Sequence, residues 1–363
     1  MKNAAMDVDM IDTPALLVDL NLMEANTERI ARQCRAGGVA WRPHCKSHKS
    51  PDIAKRLVAA GAIGVTCSKL SEAEAMAEAG VPGIMIANQI VGPIKIDRLM
   101  ALSRRVEVIV AVDNVENISA LAEAAGRAGL SLPVVIEVDL GMGRAGTVPG
   151  EPTVALARQI AGYPSLRLAG LLGWEGHTVR IPDPDEKTRA VTAAVALLTG
   201  SADACRMAGL QIEIVSCGGT GTFAVSAGLS GVTEIQAGGG IFGDVHYREL
   251  YHVPVDYALT ILTTVTSRPS PLRIITDAGK KAMSSDSGMP LPLGVPPVER
   301  LGFSAEHGKI DLVAPSETPR VADRLRFVAG YSDTTVHLHD TIYGIRGTTV
   351  EQVWPIPRTA RLR

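Results

Sequence analysis

The chain has 363 residues, of which 46% are hydrophobic, enough to bury the core of one large domain and a smaller one. A formal net charge of −2 gives no electrostatic case for nucleic acid or an anionic membrane as a partner, and no apolar run approaches the roughly 20 residues of a membrane span. The start, Met1–Asp7, has no apolar signal core, and five scattered cysteines (Cys34, Cys45, Cys67, Cys205, Cys217) without a Cys-x-x-Cys pair point to a reduced, cytoplasmic protein.

Thr13–Asp19 reads as a first apolar strand. Further strands are expected at Val39–Pro43, Ile63–Cys67, Gly83–Ala87, Val106–Val112, Pro133–Val138, Leu166–Leu172, Ile212–Ser216 and Glu234–Gln236. Between them, apolar residues at helical spacing run over Asp52–Ala60, Ser71–Ala79, Asn117–Ala128, Val154–Ala161 and Arg189–Ala208. Ser71 is expected as a helix N-cap, with Glu74 completing a capping box. Gly61, Gly80, Gly129 and Gly209 follow helix ends, where glycine is favoured.

Eight strands alternating with helices is the arithmetic of a (β/α)8 TIM barrel, preferred to an open doubly wound sheet because polar motifs fall at strand C-termini all round. After Gly240 the texture changes. Tyr257–Thr266, Leu272–Thr276, Arg326–Val328, Thr335–His339 and Val350–Val353 read as strands without clear helices, and Pro290–Pro297 as a surface loop. The expected architecture is α/β: a barrel over residues 21–245, followed by a smaller, mainly β C-terminal domain of residues 1–20 plus 246–363.

Four polar groups follow expected barrel strands, where active sites of this architecture lie. In His44-Cys45-Lys46-Ser47-His48-Lys49, a lysine can form a Schiff base with pyridoxal phosphate (PLP) if burial or nearby cations favour its neutral form. Charge alone does not rank Lys46 against Lys49, and the plainer reading is a basic loop. In Glu137–Gly146, Gly141 and Gly143 allow a tight turn that presents Arg144 to a phenolate or carboxylate; a surface arginine is the alternative. Gly173-Trp174-Glu175-Gly176-His177 offers His177 as an acid/base group or as a structural histidine. Ser216–Gly221 and Gln236–Gly240 place glycine loops after strands seven and eight, where backbone N–H groups cradle a phosphate.

These motifs, with Asp277–Lys281, Ser285–Gly288 and Glu306–Gly308, resemble the PLP-dependent D-threonine aldolase, D-serine dehydratase and D-3-hydroxyaspartate aldolase family, whose fold is shared with alanine racemase. The resemblance runs from Asp12 to Pro355. It implies an alanine racemase-like, fold-type-III enzyme with Lys46 as the Schiff-base lysine and Arg144 at the cofactor phenolate. It also implies phosphate contacts from Gly218, Gly219, Thr220, Gly238 and Gly239.

One departure matters. Metal-dependent members carry His-x-Asp or His-x-Cys in the last β segment; here Tyr331 stands at the histidine position and Asp333 keeps the carboxylate. A phenol and one carboxylate make a poor transition-metal site, so none is expected and a divalent metal is doubtful. His337 and His339, alternating on a strand, would be the substitute ligands in another register.

The expected activity is retro-aldol cleavage of D-3-hydroxy amino acids to glycine and an aldehyde, with Lys46, His177, Tyr331 and Asp333 as catalytic residues. Dehydration of D-serine or D-3-hydroxyaspartate uses the same parts. Racemisation would pair Lys46 with Tyr331 as opposing bases. A non-catalytic PLP-binding protein is a further class, against which the extra β domain argues. The expected partners are a small D-amino acid substrate and a second copy in a homodimer, with neither nucleic acid nor membrane.

Overall fold

The computed structural model describes residues 6–357, so the ends 1–5 and 358–363 of the expected β domain, and most of the Met1–Asp7 segment, lie outside the described residues. The chain divides into two compact units, one of residues 28–238 and one of residues 6–27 with 239–357.

The first unit is built on eight parallel strands. In spatial order they are Ala40–Trp41, Glu234–Ile235, Ile214–Cys217, Leu166–Gly173, Leu132–Val138, Val108–Val112, Ile84–Gln89 and Val65–Cys67. The two ends of the sheet meet. His44 bridges Thr66 in parallel, the Thr66 N–H donates to Pro43 O at 2.9 Å, and the Ile63 N–H donates to Trp41 O at 2.8 Å. The sheet therefore curls into a TIM-like barrel, as its strand count requires. Val108–Val112 and Leu132–Val138 are buried at every position, the mark of parallel strands covered on both faces. Met85, Ile109, Ala111, Val135, Ala169 and Leu172 pack together as one core cluster.

The helices follow the spacing expected, with three more at Leu20–Gly37, Pro93–Ser103 and the single turn Phe223–Ser226. Gly129 closes Val115–Ala128 in the left-handed conformation at φ 68°. The capping box is a correction. The third helix of the chain runs Leu70–Glu78, so Ser71 lies inside it and Lys69 is the extended N-cap residue. Glu72, not Glu74, reaches back, accepting the Ser68 N–H at 2.6 Å, because Leu70 is drawn into the core and starts the helix one residue early. Glu74 instead accepts two hydrogen bonds from Arg98, at 2.5 and 2.9 Å.

The second unit is a ten-stranded, largely antiparallel sheet. Its main path is Met6–Asp7, Thr349–Pro355, Thr341–Arg346, Ala15–Asp19, Leu259–Ser270, Arg273–Thr276, Gly308–Leu312 and Val298–Phe303. Arg324–Val328 pairs with Leu259–Ser270 on one side and Leu291–Leu293 on the other. Val8, Ile11, Ala15, Leu17, Leu262, Ile345 and Val350 form a core on this sheet. Two expectations fail here. Pro290–Pro297 is not wholly loop, since Leu291–Leu293 is a strand at the sheet margin, where Pro292 is tolerated. Thr335–His339 is not a strand: Ser332–Thr335 is a helical turn continued by the 3-10 turn Val336–Leu338. The Asp244 carboxylate accepts the Ser332 N–H at 2.6 Å and fixes that turn, so His337 and His339 do not alternate along a strand. Among the described residues no helix is long and apolar enough to cross a membrane.

Arg42 ties the barrel together at its first strand. Its guanidinium donates to the Glu234 carboxylate at 3.0 and 3.2 Å and to Gly83 O, linking three strand starts, and both charged groups are buried. Removing one member of such a pair leaves a buried charge without a partner. Arg42→Ala should lower stability by about 3 kcal/mol in urea unfolding, whereas Arg42→Met with Glu234→Leu should recover most of that loss.

Candidate active site

The basic motif forms a tight turn. The strand Ala40–Trp41 leads through Pro43 and His44 into the 3-10 turn Cys45–Ser47, closed by the His48 N–H donating to Cys45 O at 3.1 Å. The turn places its two lysines in different surroundings. Lys49 is buried and its ammonium binds the Glu72 carboxylate, which is itself fully buried. Lys46 is half-buried at the C-terminal end of the barrel strands. The neighbouring His44 is held neutral, its imidazole pushed well below the ordinary range by burial and then by the charges of Lys46 and Lys49. Its Nδ1 accepts the Lys46 N–H at 3.3 Å.

The Arg144 loop is shaped by Asp139, whose carboxylate accepts the N–H groups of Gly141 at 3.0 Å and Gly143 at 3.1 Å. Arg144 is exposed and lies 3.7 Å from the buried Glu137 carboxylate. Burial raises the Glu137 carboxyl, and the hydrogen bond from Gln89 at 2.6 Å opposes that rise. His177 sits on the 3-10 turn Gly176–Thr178, exposed, its ring packed against Gly141. A Cβ at position 141 would meet that ring at 3.0 Å, and φ there is +114°, so glycine is required twice over.

The glycine loop after Ile214–Cys217 is anchored from below. Glu175, fully buried, accepts the hydroxyls of Thr222 at 2.6 Å and Ser226 at 2.7 Å and the Gly218 N–H at 3.4 Å. Gly219 lies against the Trp174 ring and Gly238 against the His44 backbone, so a side chain at either would collide. Thr220 is buried. The N–H groups of Gly219 and Gly221 donate to no acceptor among the described residues, and Gly221 is buried. Buried backbone donors are nearly always satisfied, so this pair suits an anionic ligand.

The remaining expected residues lie in the second unit. Gly239 abuts the Tyr247 hydroxyl. The Tyr331 hydroxyl donates to Asp333 Oδ2 at 2.9 Å. Burial, then the Asp333 charge, pushes the Tyr331 phenol up, so it keeps its proton. His246 and Tyr331 rings lie 4.4 Å apart, and the His246 Nδ1 donates to Ser287 O at 2.5 Å. Asp244 accepts the N–H groups of Tyr247 at 2.8 Å and Ser332 at 2.6 Å. Its carboxyl is pushed up to about 7, chiefly by burial.

Lys46, Arg144, His177 and residues 218–220 and 238 thus share the first unit, and Gly239, Tyr331 and Asp333 share the second. Sequence reasoning missed Glu72, Glu175, Asp244 and His246. Glu175 lay inside a motif already singled out, but its role comes from donors 43 to 51 residues away.

Residues 18–246 match the family model "alanine racemase, N-terminal domain", and residues 258–345 match a serine dehydratase domain model. The chain is 36% identical over 361 residues to 3-hydroxy-D-aspartate aldolase of Paracoccus denitrificans (strain Pd 1222), covering 97% of this chain and 93% of that protein. It is 35% identical to D-threonine aldolase of Arthrobacter sp, covering 95% and 92%. The crystal structure of D-threonine aldolase from Filomicrobium marinum superposes with a TM-score of 0.93 at 36% identity, covering 99% of each chain.

Two outcomes are expected. Glu175→Ala strands two hydroxyls and one N–H, so it should cost about 3 kcal/mol and speed amide exchange through residues 218–226, whereas Glu175→Gln keeps most protection. The Asp244 carboxyl is pushed up to about 7, above the ordinary aspartate range, so the fold holds its proton more tightly than the unfolded chain does. Its contribution is complete below about pH 4 and is lost as pH rises through about 7. Asp244→Asn should flatten this fall when urea midpoints are measured across that range.

Proposed function

We propose that this chain, which belongs to the alanine racemase N-terminal domain family, is a PLP-dependent lyase that cleaves D-3-hydroxy amino acids into glycine and an aldehyde. The observation that carries the reaction class is the match, over nearly the whole chain, to two aldolases whose names specify D-3-hydroxyaspartate and D-threonine. The site fits the cofactor. Lys46 would hold it covalently, because Lys49 is committed to Glu72. The N–H groups of Gly219 and Gly221 would bind its phosphate, together with Thr220, Gly218, Gly238 and Gly239, and Arg144 would face its phenolate. When bound, PLP supplies an electron sink for cleavage next to the amino carbon.

The chain's own groups do the proton work. Asp333, which already accepts a hydrogen bond from the Tyr331 hydroxyl, and His177 are the groups assigned to take the proton of the substrate β-hydroxyl. Tyr331 orients and polarises that hydroxyl as a donor. A phenol pushed up by burial and by a neighbouring carboxylate holds its proton, so its basic form is scarcely populated, which supports cleavage over racemisation with Tyr331 as the second base. No metal is assigned to Tyr331 and Asp333, since a protonated phenol and one carboxylate are too poor a donor set. The serine dehydratase domain match favours one second reading, β-elimination from the same substrate class. We place the enzyme in the cytoplasm as a homodimer; its five cysteines are free thiols.

The test is a product assay on D-threonine, D-3-hydroxyaspartate, D-serine, L-threonine and D-alanine. Glycine and aldehyde should form from the first two, L-threonine should be nearly inert, and Lys46→Ala should abolish both turnover and the borohydride-trapped adduct. Tyr331→Phe should lower kcat by about 10²-fold. Dialysis against chelator should leave kcat/KM within about twofold, as a donor set without imidazole implies. A 2-oxo acid with ammonia as the main products would replace cleavage by dehydration.

A further inference from the structure

Beneath the Lys46 turn lies a group that the reaction does not use. Cys45, Cys67 and Glu72 come from the turn after the first strand, the end of the second strand and the first turn of the following helix. All three are fully buried, and their ligand atoms lie within 4.8 Å of one another. Cys45 Sγ is 3.5 Å from Cys67 Sγ and 3.8 Å from Glu72 Oε2. A tetrahedral zinc site with the usual bond lengths has sulfur–sulfur edges of about 3.8 Å and sulfur–oxygen edges of about 3.5 Å. The two edges that Cys45 makes already stand within a few tenths of an ångström of those lengths, and the third lies within 4.8 Å.

We propose that Cys45, Cys67 and Glu72 form a structural site for a thiophilic divalent ion of the zinc class, clamping the Lys46 turn to the neighbouring strand and helix. The charges balance in both states. Without metal the cluster holds two neutral thiols and the Lys49–Glu72 ion pair. On binding, each S–H bond is replaced by a metal–sulfur bond and two protons leave to solvent. Two thiolates and one carboxylate then face a divalent ion and the Lys49 ammonium, again with no net charge buried. The Glu72 carboxylate is oriented in advance by the Ser68 N–H at 2.6 Å and the Ser68 hydroxyl at 3.0 Å, the outer partners that ligating carboxylates need. The site is independent of Tyr331 and Asp333 and of the reaction assigned above.

The test uses the intact chain as purified, incubated with Cd2+ as a spectroscopic probe. Native mass spectrometry should show one tightly held Cd2+ per chain, accompanied by cadmium–thiolate charge-transfer absorption in the ultraviolet. Cys45→Ala and Cys67→Ala should each lose at least half of that absorption and weaken binding 10²-fold or more. Cys217→Ala, a change at another buried cysteine, should leave both readouts unchanged. Circular dichroism establishes that each variant is folded. Zn2+ should raise the melting temperature of the parent by several degrees and not that of Cys45→Ala. Absence of thiolate absorption at stoichiometric Cd2+, or its full retention in both cysteine variants, would overturn the assignment.

Discussion

A buried lysine must have a counter-charge, and for Lys49 that requirement organises the mouth of the barrel. An ammonium in a low-dielectric interior persists only if paired and hydrogen-bonded. Glu72 meets it from the first turn of Leu70–Glu78, and the same carboxylate accepts the Ser68 and Lys69 N–H groups at the helix start. One acidic side chain therefore closes three structural demands: a buried cation, an uncapped helix and the register of the turn that follows the first strand. Lys46 gains its position from this arrangement. With Lys49 bound below, the turn Cys45–Ser47 presents Lys46 above, beside an imidazole that cannot add a second positive charge.

The same device recurs beneath the other loops. Glu175 collects the hydroxyls of Thr222 and Ser226 under the glycine loop, and Asp244 collects the N–H groups of Tyr247 and Ser332 under the turn that carries Asp333. Each is an acid with almost no solvent exposure that takes at least one donor distant in sequence. Loops carry function here while buried acids hold them. The glycines serve a complementary end. Gly141 and Gly219 admit the rings of His177 and Trp174, and Gly238 admits the His44 backbone.

How much of this could be read beforehand follows from range. The barrel strands were legible because parallel strands covered on both faces are continuous apolar runs, as in Val108–Val112 and Leu132–Val138. The second unit was harder. Ala15–Asp19 lies between Leu259–Ser270 and Thr341–Arg346, partners more than two hundred residues away, and Val298–Phe303 and Gly308–Leu312 are too polar to announce themselves. Thr335–His339 alternates like a strand, yet a capping carboxylate 88 residues upstream makes its start helical. The motif residues Lys46, Arg144 and Gly218–Thr220 were visible as polar and glycine punctuation after strands. The acids that hold them were not, since a lone Glu or Asp in a sequence says nothing of its burial.

Tyr331 draws these threads to a chemical choice. In place of an imidazole, which would offer a lone pair to a metal, this chain has a phenol whose proton is already committed to Asp333. Packing beside the His246 and Tyr247 rings removes solvent from it, and the adjacent carboxylate opposes its ionisation further. Such a group donates a hydrogen bond and does not abstract a carbon-bound proton at neutral pH. A racemase needs a second base to work on the opposite face of its substrate, and a phenol pushed upward in this way disfavours that role. On the cleavage reading proposed above, the substrate hydroxyl is oriented and its proton taken by an acceptor, the work assigned there to the Tyr331–Asp333 pair. On that reading the proton is carried by a pair in the second unit, while the lysine-bearing turn and the glycine loops are built by the barrel alone.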